Sequence, residues 1–380
     1  MINTQYTFDD IGITIECATF EASSGVNEHH VIIHVAPCNE LFAGQYSRIC
    51  TAESRLLQLP QFKHARAIMR RYFLSDATNQ VGMMREGDAT CAYSYIQQPP
   101  LDGSKIALWI YLADGVAVAA ENGTTIVSHN GYTHLWRMGM QHGEGNVAAQ
   151  TTYLLETYEA DLARHNATLA DNCLRTWFFV RDVDTQYMGM VKARKANFEQ
   201  QGLTEKTHYI ASTGIQGLPA CQRAIIQLGA YALTNFQPEQ VSYLYAPTHL
   251  NPTYEYGVTF ERGTVVAFGD RAHAYISGTA SINNKGEVMH VGDIEAQTYR
   301  MMENVKVLLE EGAFQESDIA QIIVYLRDLC DYERVHTIIS KRYPNTPQIY
   351  TLAPVCRPEW LIEMECIAIK EQSKSQYRTF

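Results

Sequence analysis

Two glutamates set two residues apart, Glu363 and Glu365, interrupt an otherwise apolar run between Trp360 and Ile369. The run is short, rich in Leu, Ile, Met and Cys, and follows a turn at Pro354, Cys356, Arg357 and Pro358. That pattern predicts a buried strand rather than a helix. Residues two apart on a strand share a face, so the two carboxyls point the same way, with Ile362, Met364 and Cys366 on the other face. A carboxylate among apolar neighbours is costly unless it is paired or protonated. Two roles are therefore open. A paired glutamate ties subunits or repeats together; an unpaired one becomes a general acid near neutral pH.

The elements that must carry these groups recur along the chain. Residues 148–182 and 295–328 both read helix, turn, strand, Arg-Asp: Gln150 and Asp171 come back as Gln297 and Asp318, and Arg181 as Arg327. Each is followed by a second helical stretch, 187–198 in one and 332–343 in the other. Each closes with two apolar strands, 208–215 with 224–233 and 349–353 with 360–369. The first third repeats the layout more faintly. Residues 56–72 read as helical, 71–76 (RYFLSD) stand where VYLRD stands later, and 95–113 give strand, Pro-rich turn, strand. The closing strand has no Glu in the first copy, and the middle copy has Gln227 near the equivalent place. Three units are expected, at 1–125, 126–250 and 251–380, with loops at 122–131 and 246–253 between them. The polar tail 370–380 is expected to fray.

Composition narrows the function classes. The chain has 380 residues, with 46% hydrophobic and 19% charged, an ordinary globular balance. Its net charge of −11 argues against a general nucleic-acid or anionic-membrane binder, while leaving room for a local basic pocket. No apolar run is long enough to span a bilayer, and the first residues, MINTQYTFDDIGITIE, do not read as a signal peptide. Nine scattered cysteines without a CxxC point to reduced thiols, hence a cytoplasmic protein. His29-His30, His134 and His290 lack metal-ligand spacing, so no metal is expected. Gly143-Glu144-Gly145 is not a phosphate loop, because no Lys-Ser/Thr follows.

Four pieces come in order along the last third: Ser277-Gly278-Thr279, Gly292-Asp293 with Gln297 and Asn304, Tyr325 to Asp328, and the strand from Glu363 to Ala368. This succession resembles the Rid (YjgF/UK114) family. Further motifs extend the likeness over nearly the whole chain. They are Gln98 to Gly103, Arg175-Thr176-Trp177, then Tyr187, Arg194 and Phe198, Ser212-Thr213-Gly214-Ile215, Tyr256-Gly257, Phe260-Glu261-Arg262, Ser277 to Ile282, Cys356-Arg357 and Leu361-Ile362-Glu363. Together they are similar to the chorismatases, Rid-fold enzymes acting on chorismate. The chain departs from that family at Val258-Thr259, where Pro-Arg is usual, and at Phe178-Phe179, where Asn-Tyr is usual. Rid deaminases carry an Arg on the strand before the acidic one, where this chain has Gln348.

The resemblance implies an α/β (α+β) fold of tandem Rid-like units, each a mixed sheet backed by two helices, three copies packed as an intramolecular pseudo-trimer. Rid sites lie between neighbouring subunits, and only the last copy keeps the acidic strand, so one working site per chain is expected. The implied activity releases pyruvate from chorismate or a related enolpyruvyl acid, with no cofactor. Glu363 takes the family's acidic position, with Glu365 the alternative. Arg194, Arg262, Arg327 and Arg357 are candidates to hold the substrate's carboxylates, Tyr187 and Tyr256 to hydrogen-bond it, and Gly278 and Thr279 to present backbone donors. Cys356 would line the pocket. The implied partner is a small anionic metabolite, not nucleic acid or membrane, bound by a pseudo-threefold monomer or a homo-oligomer. Two other readings stay open: a Rid-type imine or enamine deaminase, and a non-catalytic metabolite binder.

Overall fold

The computed structural model describes residues 1–380 apart from Ser24, Glu86 and the side chain of Tyr256. It holds three mixed sheets built on one plan. The first contains β1 (Ile2–Phe8), β2 (Ile13–Phe20), β3 (Glu28–Val35), α1 (Phe42–Leu57), β4 (Ala65–Leu74), the single turn α2 (Ala77–Gln80), β5 (Ala92–Gln97) and β6 (Ile106–Asp114). The second contains β7 (Ala117–Glu121), β8 (Thr124–His129), β9 (Tyr132–Gln141), α3 (Val147–Ala163), the short α4 (Leu169–Asn172), β10 (Cys173–Val180), α5 (Val183–Gln200) and β11 (Ala211–Gln216). Its β12 (Leu218–Pro219) leaves this sheet to pair with β5 at the edge of the first, and β13 (Ile226–Thr234) closes the unit. The third contains β14 (Val241–Leu244), β15 (Gly263–Ala267), β16 (Arg271–Ala280), α6 (Ile294–Glu311), β17 (Ile319–Leu326), α7 (Tyr332–Arg342), β18 (Gln348–Leu352) and β19 (Ile362–Glu371).

The strand orders are β1-β2-β3-β6-β4-β5, β7-β8-β9-β13-β10-β11 read from its far edge, and β14-β15-β16-β19-β17-β18. In each, the last strand of the unit inserts between the third and fourth. A parallel pair closes one edge: β4 with β5, β10 with β11, β17 with β18. A parallel pair needs a crossover. α5 and α7 supply it in the second and third units, and in the first it has shrunk to α2 and irregular chain. A glutamine of the first long helix is clamped alike in all three units. Gln45, Gln150 and Gln297 accept from the backbone N–H of Lys105, Ile225 and Leu361, each the residue before the closing strand.

β10, β17 and nearly all of β6 are buried along their length, because helices cover one face of each sheet and the other units cover the opposite face. The largest hydrophobic cluster accordingly draws on all three sheets, from Trp109 and Phe73 through Trp177 to Tyr325 and Met364. Buried polar groups knit the units further. Glu28 of the first meets Arg271 at 2.7 Å and His273 at 2.9 Å in the third, and the ion pairs hold its carboxyl well below the usual range against the cost of burial.

Several sequence expectations shift. Residues 122–131 are not a linker: Asn122-Gly123 and Asn130-Gly131, all at positive φ, are the two-residue turns of successive hairpins joining β7, β8 and β9. Residues 246–253 lie between β14 and β15, inside the third sheet. Sheet membership therefore changes around 115–116 and 235–240, ahead of the expected 125 and 250. Residues 65–72 are strand, not helix, since pairing between β5 and β6 outweighs the helical preference of Ala, Met and Arg. The tail does not fray. Phe380 is 2% exposed among His129, His134, Phe268 and His273, and its N–H donates to Asp270.

Candidate active site

β19 carries both glutamates inward, and the two meet different surroundings. Glu365 Oε2 accepts from Arg175 Nη2 at 2.8 Å and from the Thr213 hydroxyl; Oε1 accepts from Trp177 Nε1 at 2.9 Å, with Arg71 Nη1 at 3.5 Å. These partners come from the first and second units, so Glu365 ties the third unit to both. The Arg71 guanidinium is sandwiched against Trp109, Trp177 and Phe179. This is the interface ion pair that the sequence left open.

Glu363 lies two residues away, paired on the backbone with Ala280 of β16 and Tyr325 of β17. Between Ile276 and Thr279 β16 bulges, and Gly278 sits against the carboxyl. A Cβ on Gly278 would stand 2.1 Å from Glu363 Oε1, so any larger residue there would push the carboxyl out of its place. Glu363 is 5% exposed. Burial pushes its pKa up, the neighbouring Glu365 pushes the same way, and Arg175 and Arg262 only partly offset them, leaving it at about 8. At neutral pH Glu363 is therefore a carboxylic acid with a proton to give.

The acid opens into a cleft between the second and third units with a cavity of about 100 Å³. That is space for several waters, the scale of a small organic acid rather than a polymer. Tyr187, Arg194, Ser212 and Gly214 come from α5 and β11; Phe260, Arg262, Gly278, Cys356, Arg357, Trp360 and Glu363 come from the third unit. Hydroxyls and carbonyls hold the three guanidinium groups in place. Arg194 donates to Thr259 Oγ1 at 3.2 Å and lies over Phe178, Arg262 donates to the Asn251 carbonyl at 3.0 Å, and Arg357 donates to the Gly286 carbonyl at 3.2 Å and lies over Trp360. A cationic wall faces a neutral acid, in a protein whose overall charge is −11. The Cys356 thiol is pushed up to about 12 by burial and by Glu363, which makes it a lining group rather than a nucleophile.

Of the residues singled out from the sequence, Tyr187, Arg194, Arg262, Gly278, Cys356, Arg357 and Glu363 converge on this cleft. Arg327 does not. It forms a fork with Asp184 at 2.7 and 3.0 Å and donates to the Val355 carbonyl, stapling α5 to the third unit. Thr279 is buried beside the cleft, its hydroxyl donating to the Ser277 carbonyl. The side chain of Tyr256 lies outside the described residues. Gln348, at the deaminase arginine position, faces the junction of the third and first units instead; the residue at its register position in the Glu363 cleft is Ser212. Sequence reasoning missed Ser212, Gly214 and Trp360 as lining groups, and Arg71 and Arg175 as the partners of Glu365. The signal was there for three of them, Ser212, Gly214 and Arg175, since Ser212-Thr213-Gly214 and Arg175-Thr176-Trp177 are both motif segments. Among the described residues no cluster of His, Cys, Asp and Glu could hold a metal ion, and no helix is long and apolar enough to cross a membrane.

An inter-unit acidic cleft on three repeated mixed sheets is the arrangement of a Rid-type protein with its trimer folded into one chain. Comparison with known proteins agrees. The profile of the endoribonuclease L-PSP family matches residues 264–370. A RutC family protein of Pyrococcus abyssi is 35% identical over 100 residues, which are 26% of this chain and 78% of that protein. The 3-aminoacrylate deaminase RutC of Acinetobacter baylyi is 29% identical over 96 residues, 25% of this chain and 76% of that one. The crystal structure of a chorismatase superposes with a TM-score of 0.64 at 18% identity, covering 80% of this chain and 92% of the other. The chain belongs to the RutC (Rid/YjgF) family, and it has the chorismatase fold over most of its length.

Proposed function

We propose that the chain releases pyruvate from chorismate or a closely related enolpyruvyl acid, with Glu363 as the general acid. The observation that carries the reading is a single protonated carboxyl, at about 8, at the base of a cleft walled by Arg194, Arg262 and Arg357. An enol ether is cleaved by protonating its methylene carbon. The C=C electron pair takes the Glu363 proton, the methylene becomes a methyl, and the adjacent carbon becomes an oxocarbenium. The Glu363 carboxylate just formed stabilises that cation and takes a proton from the water that attacks it. Collapse of the adduct breaks the bond to the ring oxygen, returns a proton to it and frees pyruvate. The guanidinium groups hold the two substrate carboxylates in bidentate fashion and fix the methylene against the acid.

The test is incubation of the purified chain with chorismate, pyruvate being followed by a coupled assay. Pyruvate from wild type and none from Glu363→Gln, with ligand binding retained, is the expected result. A wild-type rate in the variant would sink the assignment. The name of the Acinetobacter relative supports a second reading, protonation of an enamine carbon by the same acid. Ammonia released from an aminoacrylate, without pyruvate from chorismate, would favour it.

A further inference from the structure

The junction of the third and first units contains a second cavity, of about 360 Å³, between α7 and β18 on one side and β2, β3 and the loop at Asp102 on the other. Strand register identifies it as the counterpart of the Glu363 cleft. β4 and β17 bulge at matching points against β6 and β19, which sets Ala107 at the position of Glu363 and Ile110 at that of Cys366. The next pairs outward set His34 at the position of Ala280 and Glu16 at that of Arg262. On the opposite wall Gln348 and Tyr350 take the positions of Ser212 and Gly214. His336 is the fifth residue of α7, as Tyr187 is of α5. The frame is the same and the charge is reversed: the acid is gone, and a carboxylate stands where an arginine stood.

The groups in this cavity favour a cation. Glu16 Oε2 lies 3.5 Å from His34 Nε2 and accepts from the Gln348 N–H at 2.8 Å, while Asp102 Oδ2 lies 3.6 Å from His34 Nδ1. Burial would lower the His34 pKa, but the Asp102 and Glu16 carboxylates that face its two ring nitrogens outweigh it and hold the ring protonated, at about 10. Two carboxylates against one imidazolium leave one negative charge, and among the described residues no Lys or Arg lines the space. Three rings complete the wall: Tyr350 has centroids 5.6 Å from Tyr332 and 5.2 Å from His336, which are 5.5 Å from each other. Aromatic faces beside carboxylates are the surroundings that organic cations prefer.

We propose that this second inter-unit cavity binds a small organic cation of the alkylammonium class, its charge against Glu16 and Asp102 and its alkyl groups against Tyr332 and Tyr350. The site is independent of the activity assigned to Glu363. The experiment is calorimetric titration of the full chain with tetramethylammonium chloride, with sodium chloride at equal ionic strength as the blank. Saturable binding of one equivalent is expected, weakened at least tenfold in Tyr332→Ala and in Glu16→Gln and unchanged in Glu363→Gln. Glu16 also accepts a backbone hydrogen bond, so its variant can disturb the local fold; Tyr332→Ala removes only a half-buried ring on a helix and keeps the test decisive. No saturable heat, binding undiminished in Tyr332→Ala, or binding lost in Glu363→Gln would each overturn the proposal.

Discussion

Glu363 and Glu365 stand on one face of one strand, in the same apolar run, and differ in what the other two units bring to them. Around Glu365 the units deliver two guanidinium groups, an indole N–H and a hydroxyl. Around Glu363 its own unit supplies the glycine bulge, and the second unit only the far wall of an open cleft, with the arginines set back along it. One carboxyl is consumed in holding the assembly together; the other keeps its proton. The three junctions repeat this lesson at larger scale. That between the first and second units is closed: β12 pairs with β5, Gln227 at the Glu363 position donates to Ser94, and Gly139 lies so close to Tyr93 that a Cβ would be 2.5 Å from its carbonyl oxygen. Repetition built three equivalent frames, and local substitutions gave each a different chemistry.

The comparison is broken most severely by Glu363→Gln. Turnover of the proposed substrate should fall by about 10²–10⁴, the range of a lost general acid, while the fold survives. The variant should also reveal the cost of the buried acid. The folded value of about 8 lies above the ordinary 4.5, so between those values the folded chain holds a proton that the unfolded chain releases. Wild-type stability therefore falls as pH rises through this window, and the full cost is felt above pH 8. Denaturant melts should show Glu363→Gln gaining on wild type from about pH 5 to pH 8, by a few kcal/mol in total.

Glu365→Ala should act on the other side of the comparison. It leaves Arg71 and Arg175 buried without their carboxylate, a loss of about 3–5 kcal/mol of stability, visible in the urea midpoint. Gly278→Ala sharpens the contrast, because its Cβ would collide with Glu363 and leave Glu365 in place. Activity should drop at least tenfold in kcat with a smaller change in melting temperature. The two classes of arginine come last. Arg262→Ala should raise KM for the anionic substrate about tenfold or more, the loss of a charge-assisted contact. Arg327→Ala should leave KM unchanged and cost at most about 1 kcal/mol, since its partner Asp184 is 43% exposed.

Much of this was legible in the sequence, for identifiable reasons. The strand-bound glutamates, the Arg-Asp repeat and the ordered Rid motifs report local pattern, and local pattern survives folding. Which glutamate is the acid could be read only through resemblance, because the partners of Glu365 lie in other units, at Arg71 and Arg175. Arg327 was drawn into the candidate site by its motif; only the tertiary structure brings it to Asp184. The hairpin turns at Asn122-Gly123 and Asn130-Gly131 passed for a linker because the same dipeptide ends both kinds of segment. The first copy was faint because its second helix is reduced to one turn, although Gln45 keeps the clamp of Gln150 and Gln297. The second cavity could not be read at all, since its charge reversal exists only once register sets Glu16 at the position of Arg262.

The most direct test of the central claim is the protonation state of the two carboxyls, measured by infrared difference spectroscopy of wild type against Glu363→Gln across pH 4 to 10. A protonated-carboxyl stretch present at pH 7, lost near pH 8 and missing from the variant is the predicted result. Loss of that band near the ordinary carboxyl value, or its persistence in Glu363→Gln, would contradict the assignment of Glu363 as the proton donor.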